Sequence, residues 1–379
     1  MKRNLLLTPG PTQVPPNLCE VLGRPIIHHR TPQFQSYLKE AIEGLQFVLQ
    51  TKNDVYLMAS SGTGAMEASM CSMISEGDKV ITVESGKFGE RWTELAKAFR
   101  AQPIVMQIKW GTAVKAAEIE VKLKEDPSIK AVFITLCETS TGVSPDVKAI
   151  ADVVRKTNAI LVIDAVSGLG IMDLKMDEWG IDVVASASHK GFMLPPGLAF
   201  VAVSPKAKAM MEKSTAPKYY FDLRKYAKMY DKVDTPFTPA IGIVIALTES
   251  LKMFKEKGLE AAFASYARLA KGVTAAVEGL GLEVYPVPEA RSNVLTAVRI
   301  PEGIDSGKVV KLMRDTYGIS VAGGQGDLKG KVIRIAHMGC LDEYDIITGI
   351  SCLEKVLKQL GYKFELGAGV AAAQRYFNS

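Results

Sequence analysis

The sequence has 379 residues, of which 47% are hydrophobic and 23% are charged, a composition that excludes intrinsic disorder. Lys and Arg number 46 against 41 Asp and Glu, and because the net charge of +5 is spread along the chain, it gives no support to nucleic-acid binding. The apolar runs are far shorter than the roughly 20 residues that span a bilayer. We therefore expect neither a nucleic acid nor a membrane as a partner.

The predicted elements alternate between helices and strands over the first two thirds of the chain. Residues 1–16 are rich in proline and are expected to form an extended arm. Apolar spacing then predicts helices over 33–50, 65–74, 90–100, 114–124 and 146–157, and strands over 54–59, 79–83, 104–108, 131–136, 159–163 and 181–185. Several of these strands are continuous apolar runs, which is typical of a parallel sheet covered by helices on both faces.

The pattern changes near residue 258. Beyond it, the spacing predicts helices over 259–279, 306–317 and 342–359 and strands near 294–299 and 331–336, which together indicate a compact α+β unit. We therefore predict three parts: an N-terminal arm over 1–16, a large domain over 17–257 and a small C-terminal domain over 258–379.

The cysteines and histidines give no sign of a disulfide framework or a metal site. The five cysteines are widely spaced without a CxxC pair, and the histidines form no HExxH motif. Near the N-terminus a short leucine run ends at residues 8–11, Thr-Pro-Gly-Pro, before reaching the roughly 7–15 apolar residues of a secretory signal. We therefore expect a cytoplasmic protein without a metal.

A glycine-rich turn at residues 60–64 follows a predicted strand and precedes a predicted helix. The N–H groups and dipole of a helix N-terminus bind phosphate, and glycines let the anion approach closely. Gly62, Gly64 and Glu67 also nearly match the GxGxxG fingerprint of dinucleotide-binding proteins, with Glu84 about 20 residues further on. The turn therefore has two functional interpretations besides that of an ordinary capped turn.

An aspartate and a lysine at successive strand ends favour one of these interpretations. Asp164 follows the buried-looking run 160–163, and Lys190 follows the next strand among small residues. Each residue alone is commonplace. A phosphate-binding turn, an acid and a lysine in this order are what pyridoxal phosphate requires: the acid keeps the pyridine nitrogen protonated, and the lysine forms an imine with the cofactor aldehyde. A nicotinamide site needs neither residue.

The ordered motifs resemble the class V aminotransferases of pyridoxal-phosphate fold type I, and most closely the alanine–glyoxylate and serine–pyruvate (serine–glyoxylate) enzymes. The resemblance covers almost the whole chain. It implies a large domain with a mostly parallel seven-stranded sheet covered by helices, a smaller C-terminal α+β domain, and a homodimer with active sites at its interface. The motifs that carry it lie at residues 8–11, 61–68, 85–91, 138–142, 162–167, 188–191, 195–197, 323–326 and 332–335.

By this resemblance, Lys190 and Asp164 are the catalytic residues, and Arg334 binds the α-carboxylate of the substrate. Phe88 stands where relatives commonly place a tryptophan that stacks on the pyridine ring. Thr238 reaches the phosphate of the neighbouring subunit. The residues implied to bind the cofactor are Ser61, Gly62, Thr63, Phe88, Ser140, Asp164, His189, Lys190 and Thr238.

The implied reaction is a ping-pong transamination between a small amino acid, alanine or serine, and glyoxylate or pyruvate. Arg30, in the run His28-His29-Arg30, contributes either to substrate selection or to a structural salt bridge. Phosphoserine and 2-aminoethylphosphonate aminotransferases are alternatives because of Arg30. An NAD-dependent dehydrogenase, a cysteine desulfurase that uses Cys340 and a non-enzymatic subunit of a hydrogenase are further alternatives.

Overall fold

The computed structural model describes residues 4–379, so the first three residues of the predicted arm lie outside it. The strands are β1 (Leu5–Leu6), β2 (Asp54–Met58), β3 (Lys79–Glu84), β4 (Gln102–Gln107), β5 (Ala131–Thr135), β6 (Ile160–Asp164), β7 (Val183–Ala187), β8 (Ala199–Val203), β9 (Glu283–Val284), β10 (Leu295–Arg299), β11 (Ile319–Ser320), β12 (Ala322–Gly323) and β13 (Val332–Ala336). The α-helices are α1 (Pro16–Leu22), α2 (Pro32–Leu49), α3 (Gly62–Met73), α4 (Lys87–Ala98), α5 (Ala116–Glu125), α6 (Val147–Val154), α7 (Met176–Trp179), α8 (Pro205–Met211), α9 (Leu223–Tyr230), α10 (Ile241–Lys257), α11 (Leu259–Gly279), α12 (Ser306–Tyr317), α13 (Glu343–Gln359) and α14 (Ala368–Phe377).

Seven strands form the main sheet, in the order β2-β8-β7-β6-β5-β3-β4. Strand β8 runs antiparallel to both of its neighbours, and the other pairings are parallel, so the predicted mostly parallel seven-stranded sheet is confirmed. In β6, Leu161 and Ile163 face one apolar cluster, while Ile160 and Val162 face another. Burial on both faces explains why this strand is a continuous apolar run.

The parallel register brings the ends of β5, β6 and β7 to one edge of the sheet. Thr135 at the end of β5 pairs with Asp164 at the end of β6, and Asp164 pairs with Ala185 of β7. The segments that follow these three strands therefore start side by side. This edge is where open α/β sheets bind their ligands.

Several local predictions needed correction; for example, helix α4 begins at Lys87 rather than at residue 90, and helix α10 was not predicted. Helix α3 begins at Gly62 rather than at residue 65, because the glycines of the turn already form its first helical turn. Strand β7 covers Val183–Ala187 rather than 181–185. Helix α1 begins at Pro16, the last residue of the predicted arm, and its proline occupies the first helical position, where no N–H group is needed.

A four-stranded sheet in the order β12-β13-β10-β9 lies in the C-terminal part of the chain, and all of its pairings are antiparallel. Apolar side chains from residues 269–377 form a second buried cluster with this sheet, and Leu5 and Leu7 of the N-terminal segment belong to it as well. The arm is therefore tied to the C-terminal α+β unit by its apolar contacts.

The N-terminal segment joins the C-terminal unit to the edge of the main sheet. Its strand β1 pairs with β11, and Leu7 donates to the carbonyl of Ser320 and accepts from the N–H of Ala336. A few residues later, the hydroxyl of Thr12 donates to the carbonyl of Lys190 at 2.9 Å. Within residues 4–379, no helix combines the length and apolar character needed to cross a bilayer.

Truncating the buried Leu7, which is 1% exposed, measures how much the attachment of the N-terminal segment contributes to stability. We expect Leu7→Ala to lower the free energy of unfolding by about 2–4 kcal/mol, because it removes buried methyl groups and leaves a cavity. Leu366→Ala is the control, since Leu366 is 60% exposed and its truncation should change stability by less than about 0.5 kcal/mol. Urea titrations followed by circular dichroism measure both values. Equal stabilities for the two variants would contradict the expectation.

Candidate active site

The first turn of α3 forms an open cradle of backbone N–H groups. Ser61 occupies the N-cap position without a side-chain cap, and the helix bonds begin with the N–H of Ala65. A Cβ atom at Gly62 would lie 2.7 Å from the Val166 side chain, and one at Gly64 would lie 1.9 Å from the hydroxyl of Ser60. Since the first N–H groups of a helix have no acceptor within the helix, this turn is suited to an anion.

Lys190 lies in the loop after β7, and its side chain is buried. Its Nζ donates to the carbonyl of Pro9, and a Cβ at Gly10, where φ is +112°, would lie 2.4 Å from this Nζ. Burial lowers the pKa of Lys190 to about 8, although the charge of Asp164 acts in the opposite direction. About a tenth of this amine is therefore uncharged, and nucleophilic, at pH 7.

Asp164 ends β6 and is 4% exposed. Its carboxylate accepts the N–H of Val166 at 2.9 Å. Burial raises the pKa of Asp164 to about 6, and the charge of Glu138 adds to the rise, while the charges of Arg91 and Lys190 oppose it. This buried carboxylate would be stabilised further by a cationic partner within the site.

His189 precedes the lysine, and its Nδ1 is a buried atom without a hydrogen-bond partner among residues 4–379. Burial lowers the pKa of His189 to about 4, and the neighbouring charge of Lys190 lowers it further. The imidazole is therefore neutral at physiological pH. A buried polar atom without a partner costs free energy unless a ligand satisfies it, so Nδ1 is available to a ligand group.

Glu138 holds together the segments that carry Phe88 and Ser140. Its buried carboxylate accepts the N–H groups of Phe88 at 3.0 Å, Gly89 at 2.9 Å and Ser140 at 3.1 Å. The hydroxyl of Ser140 accepts the N–H of Lys87 at 3.0 Å. The sequence placed Glu138 inside a motif without giving it a role, because its partners lie on a distant segment of the chain.

Arg334 lies in β13 with its guanidinium 7% exposed. Its Nε donates to the carbonyl of Gly323 at 2.9 Å, and its Nη1 donates to the carbonyl of Thr139 at 2.8 Å. Burial lowers the pKa of Arg334 to about 10, so the side chain stays charged, and no carboxylate of residues 4–379 pairs with it. A fixed and buried cation of this kind is suited to the carboxylate of a ligand.

Arg91 is a second arginine at the site, and the sequence did not single it out. Its Nη1 donates to the hydroxyl of Thr63 at 3.1 Å, and its Cζ lies 4.9 Å from the centre of the Phe88 ring. The only signal in the sequence was its position at the end of the motif over 85–91.

Arg30 contacts the loop that carries Thr238. Arg30 forms an ion pair with Asp234 and donates to the carbonyl of Thr235 at 2.8 Å. Thr238 is exposed a few residues further along the same loop. The structure thus favours the structural salt bridge for Arg30, and it leaves the side chain of Thr238 accessible to another molecule.

The chain matches the family model described as aminotransferase class-V over residues 16–331. It belongs to the class-V aminotransferases. It is 42% identical to the soluble hydrogenase small subunit of Synechococcus sp. (strain PCC 6716), 39% identical to the L-aspartate–glyoxylate aminotransferase of Paracoccus denitrificans and 36% identical to the serine–glyoxylate aminotransferase of Hyphomicrobium methylovorum. These alignments cover 99%, 99% and 98% of this chain and 98%, 96% and 94% of the relatives.

The fold of this aminotransferase is also that of a solved relative. The ureidoglycine–glyoxylate aminotransferase from Bacillus subtilis superposes with a TM-score of 0.96 at 28% identity, covering 100% of this chain and 99% of the other. The family depends on pyridoxal 5′-phosphate, which is therefore the cofactor of this enzyme. Family membership decides between the two functional interpretations of the glycine-rich turn in favour of this cofactor.

The observed residues fit pyridoxal phosphate. The first N–H groups of α3 have no acceptor within the helix and suit a phosphate, and the unpartnered Nδ1 of His189 adds a polar group. The buried amine of Lys190 suits the aldehyde, and the buried carboxylate of Asp164 suits a protonated ring nitrogen. Each part of the cofactor thus finds a group of matching chemistry.

The pKa of Lys190 gives a testable pH dependence. The rate at which cofactor-free enzyme reacts with pyridoxal phosphate should rise about tenfold per pH unit up to pH 8, where the amine becomes mostly uncharged, and level off above it. The measurement is stopped-flow absorbance, with Lys190→Ala as the control for other amines. In Asp164→Asn the plateau should begin at lower pH, because the charge of Asp164 raises the pKa of Lys190. A rise that continues unchanged to pH 10 would contradict the prediction.

Proposed function

We propose that this aminotransferase moves the amino group of a small amino acid, alanine or serine, to glyoxylate or pyruvate. The observation that carries the proposal is the convergence of Lys190, Asp164 and Arg334 on one buried site, where the charges of Asp164 and Arg334 both act on the pKa of Lys190. A lysine, an acid and a carboxylate-binding arginine are the groups that transamination of an α-amino acid requires.

The proposed roles follow from the positions of the side chains. Bound at the site, pyridoxal phosphate supplies an aldehyde that condenses with amino groups and a ring that accepts the electrons released at the substrate Cα. Asp164 keeps the ring nitrogen protonated. Lys190, once its amine is free, would act as the general base that accepts the proton released at the substrate Cα, and as the acid that returns it. Arg334 binds the α-carboxylate with its guanidinium, which is already oriented by two carbonyl groups.

The remaining proposed roles concern the cofactor. The N–H groups and hydroxyls of Ser61, Gly62 and Thr63 bind the phosphate at the N-terminus of α3, with His189 beside them. Phe88 stacks on the ring, and Ser140 binds a ring substituent. We further propose a homodimer in which the exposed Thr238 reaches the phosphate of the partner's site, and a cytoplasmic location, since all five cysteines remain free thiols.

Glyoxylate is the acceptor that the names of the relatives from Paracoccus, Hyphomicrobium and Bacillus share, whereas their amino donors differ. A donor with an acidic side chain or a phosphate needs a second cation beside Arg334. Arg30 is paired with Asp234, and Arg91 is engaged by Thr63 and Phe88, so neither arginine is free for that role within this chain. This favours small donors over aspartate or phosphoserine. Cys340 also makes a poor nucleophile for a desulfurase, because burial raises the pKa of its thiol.

A panel of donors and acceptors tests the proposed function. We expect serine or alanine with glyoxylate or pyruvate to give the highest kcat/KM, with parallel lines in double-reciprocal plots, as a ping-pong mechanism requires. Aspartate, phosphoserine and 2-aminoethylphosphonate complete the donor panel. A preference for one of these three, or activity that stays unchanged when Lys190 is replaced by Ala, would overturn the proposal.

Arg334→Gln tests the carboxylate site. We expect kcat/KM for the amino donor to fall about 10²-fold, because the substrate carboxylate loses a buried charged partner. The bound cofactor should keep its absorbance, since Arg334 is assigned to the substrate. Arg299→Gln on the neighbouring strand β10 is the control, because that arginine is exposed and pairs with Glu283. A similar loss in both variants would show that the effect is not specific to Arg334.

A further inference from the structure

Arg91 connects two segments that meet at the cofactor site. Helix α4 carries Phe88 in its first turn and Arg91 three residues later, so the two side chains lie on the same face of the helix. The guanidinium Cζ is 4.9 Å from the centre of the Phe88 ring, within the range of a cation–π contact. From there Nη1 reaches across to the Thr63 hydroxyl in the first turn of α3.

The charge of Arg91 is not neutralised by the protein. No carboxylate oxygen of residues 4–379 lies within the 4 Å of an ion pair with Arg91, and the adjacent Glu90 pairs with Lys87 instead. Its charge reaches the buried site, because it lowers the pKa values of both Asp164 and Lys190. An unpaired cation next to an open helix N-terminus adds to the attraction for an anion.

The backbone and the ring of Phe88 contact different residues. Glu138 accepts the N–H group of Phe88, which sets the position of the backbone at the start of α4. That contact leaves the ring free to rotate about its side-chain bonds, and Phe88 is only partly buried. The guanidinium of Arg91 is the charged group that lies over the ring.

We propose that Arg91 is a positioning residue for pyridoxal phosphate, which holds the Phe88 ring and the Thr63 hydroxyl in one fixed arrangement and places a positive charge beside the phosphate turn. The inference rests on the proposed roles of Phe88 and Thr63. A phenyl ring offers a smaller surface for stacking than an indole. Fixing its orientation before the cofactor binds lowers the entropy lost on binding.

The test measures cofactor affinity and stability separately. We compare the wild type with Arg91→Met, Arg91→Lys and the control Arg100→Met, whose arginine is exposed and pairs with Glu76. Titration of cofactor-free enzyme with pyridoxal phosphate gives Kd, and thermal unfolding gives Tm with and without the cofactor. Arg91→Met should raise Kd about tenfold and reduce the rise in Tm on loading, with the Tm of the cofactor-free enzyme unchanged. The Kd of Arg91→Lys should lie between those of the wild type and Arg91→Met, because lysine keeps the charge without the planar group.

A double-mutant cycle separates the positioning role from a general effect of charge. If Arg91 acts through the ring, Arg91→Met should raise Kd less in a Phe88→Leu background than in the wild type. Additive effects of the two changes would overturn the proposal, and so would an unchanged Kd or an equal loss of Tm with and without cofactor. Inorganic phosphate is a second probe: it should raise the Tm of the cofactor-free wild type more than that of Arg91→Met.

The outcomes also distinguish this inference from the proposed function. A wild type that fails to bind pyridoxal phosphate, or binds it without transaminating any donor of the panel, contradicts the proposed function. A wild type that binds the cofactor with the same Kd as Arg91→Met contradicts only the role of Arg91.

Discussion

The candidate active site depends on placing two groups of opposite charge in a buried position at one edge of a mostly parallel sheet. Burial alone disfavours both charged forms, and accordingly the pKa of Asp164 is raised to about 6 and that of Lys190 is lowered to about 8. Each charge partly offsets this effect on the other. The sheet makes the arrangement possible, because the parallel register of β5, β6 and β7 fixes where the segments after these strands begin.

Around this pair, the structure relies on backbone groups more than on salt bridges. The open N-terminus of α3 provides N–H donors, two carbonyl groups hold Arg334, and the carboxylate of Glu138 accepts three N–H groups. Backbone groups have few ways to move once the surrounding segments are packed. The site is thus organised before a ligand arrives, which is the condition under which charged groups assist a reaction most effectively.

The sequence predicted the parts of this structure that are local or repeat a pattern. Continuous apolar runs predicted β5 and β6. The positions of Asp164 and Lys190 after successive strands predicted that these two residues belong to the same site. Strand β8 was not predicted, since its five residues follow a proline-rich loop and its antiparallel direction depends on partners far along the chain. Glu138 and Arg91 had no assigned role for the same reason: their partners, 50 and 28 residues away, become neighbours only in the folded chain. The resemblance to a family supplied the seven strands and the site list, which spacing alone did not give.

The contact between the N-terminal segment and Lys190 has a consequence for how the enzyme is made. Pro9 and Thr12 contact Lys190 across 181 and 178 residues of sequence, while Leu5 pairs with Ile319, in a strand that is translated long after Leu5. Domains in general fold while synthesis proceeds from the N-terminus. Here residues 5–12 can take up their positions beside the lysine only after strand β11 has been translated, so a chain that lacks β11 leaves this side of Lys190 incompletely covered.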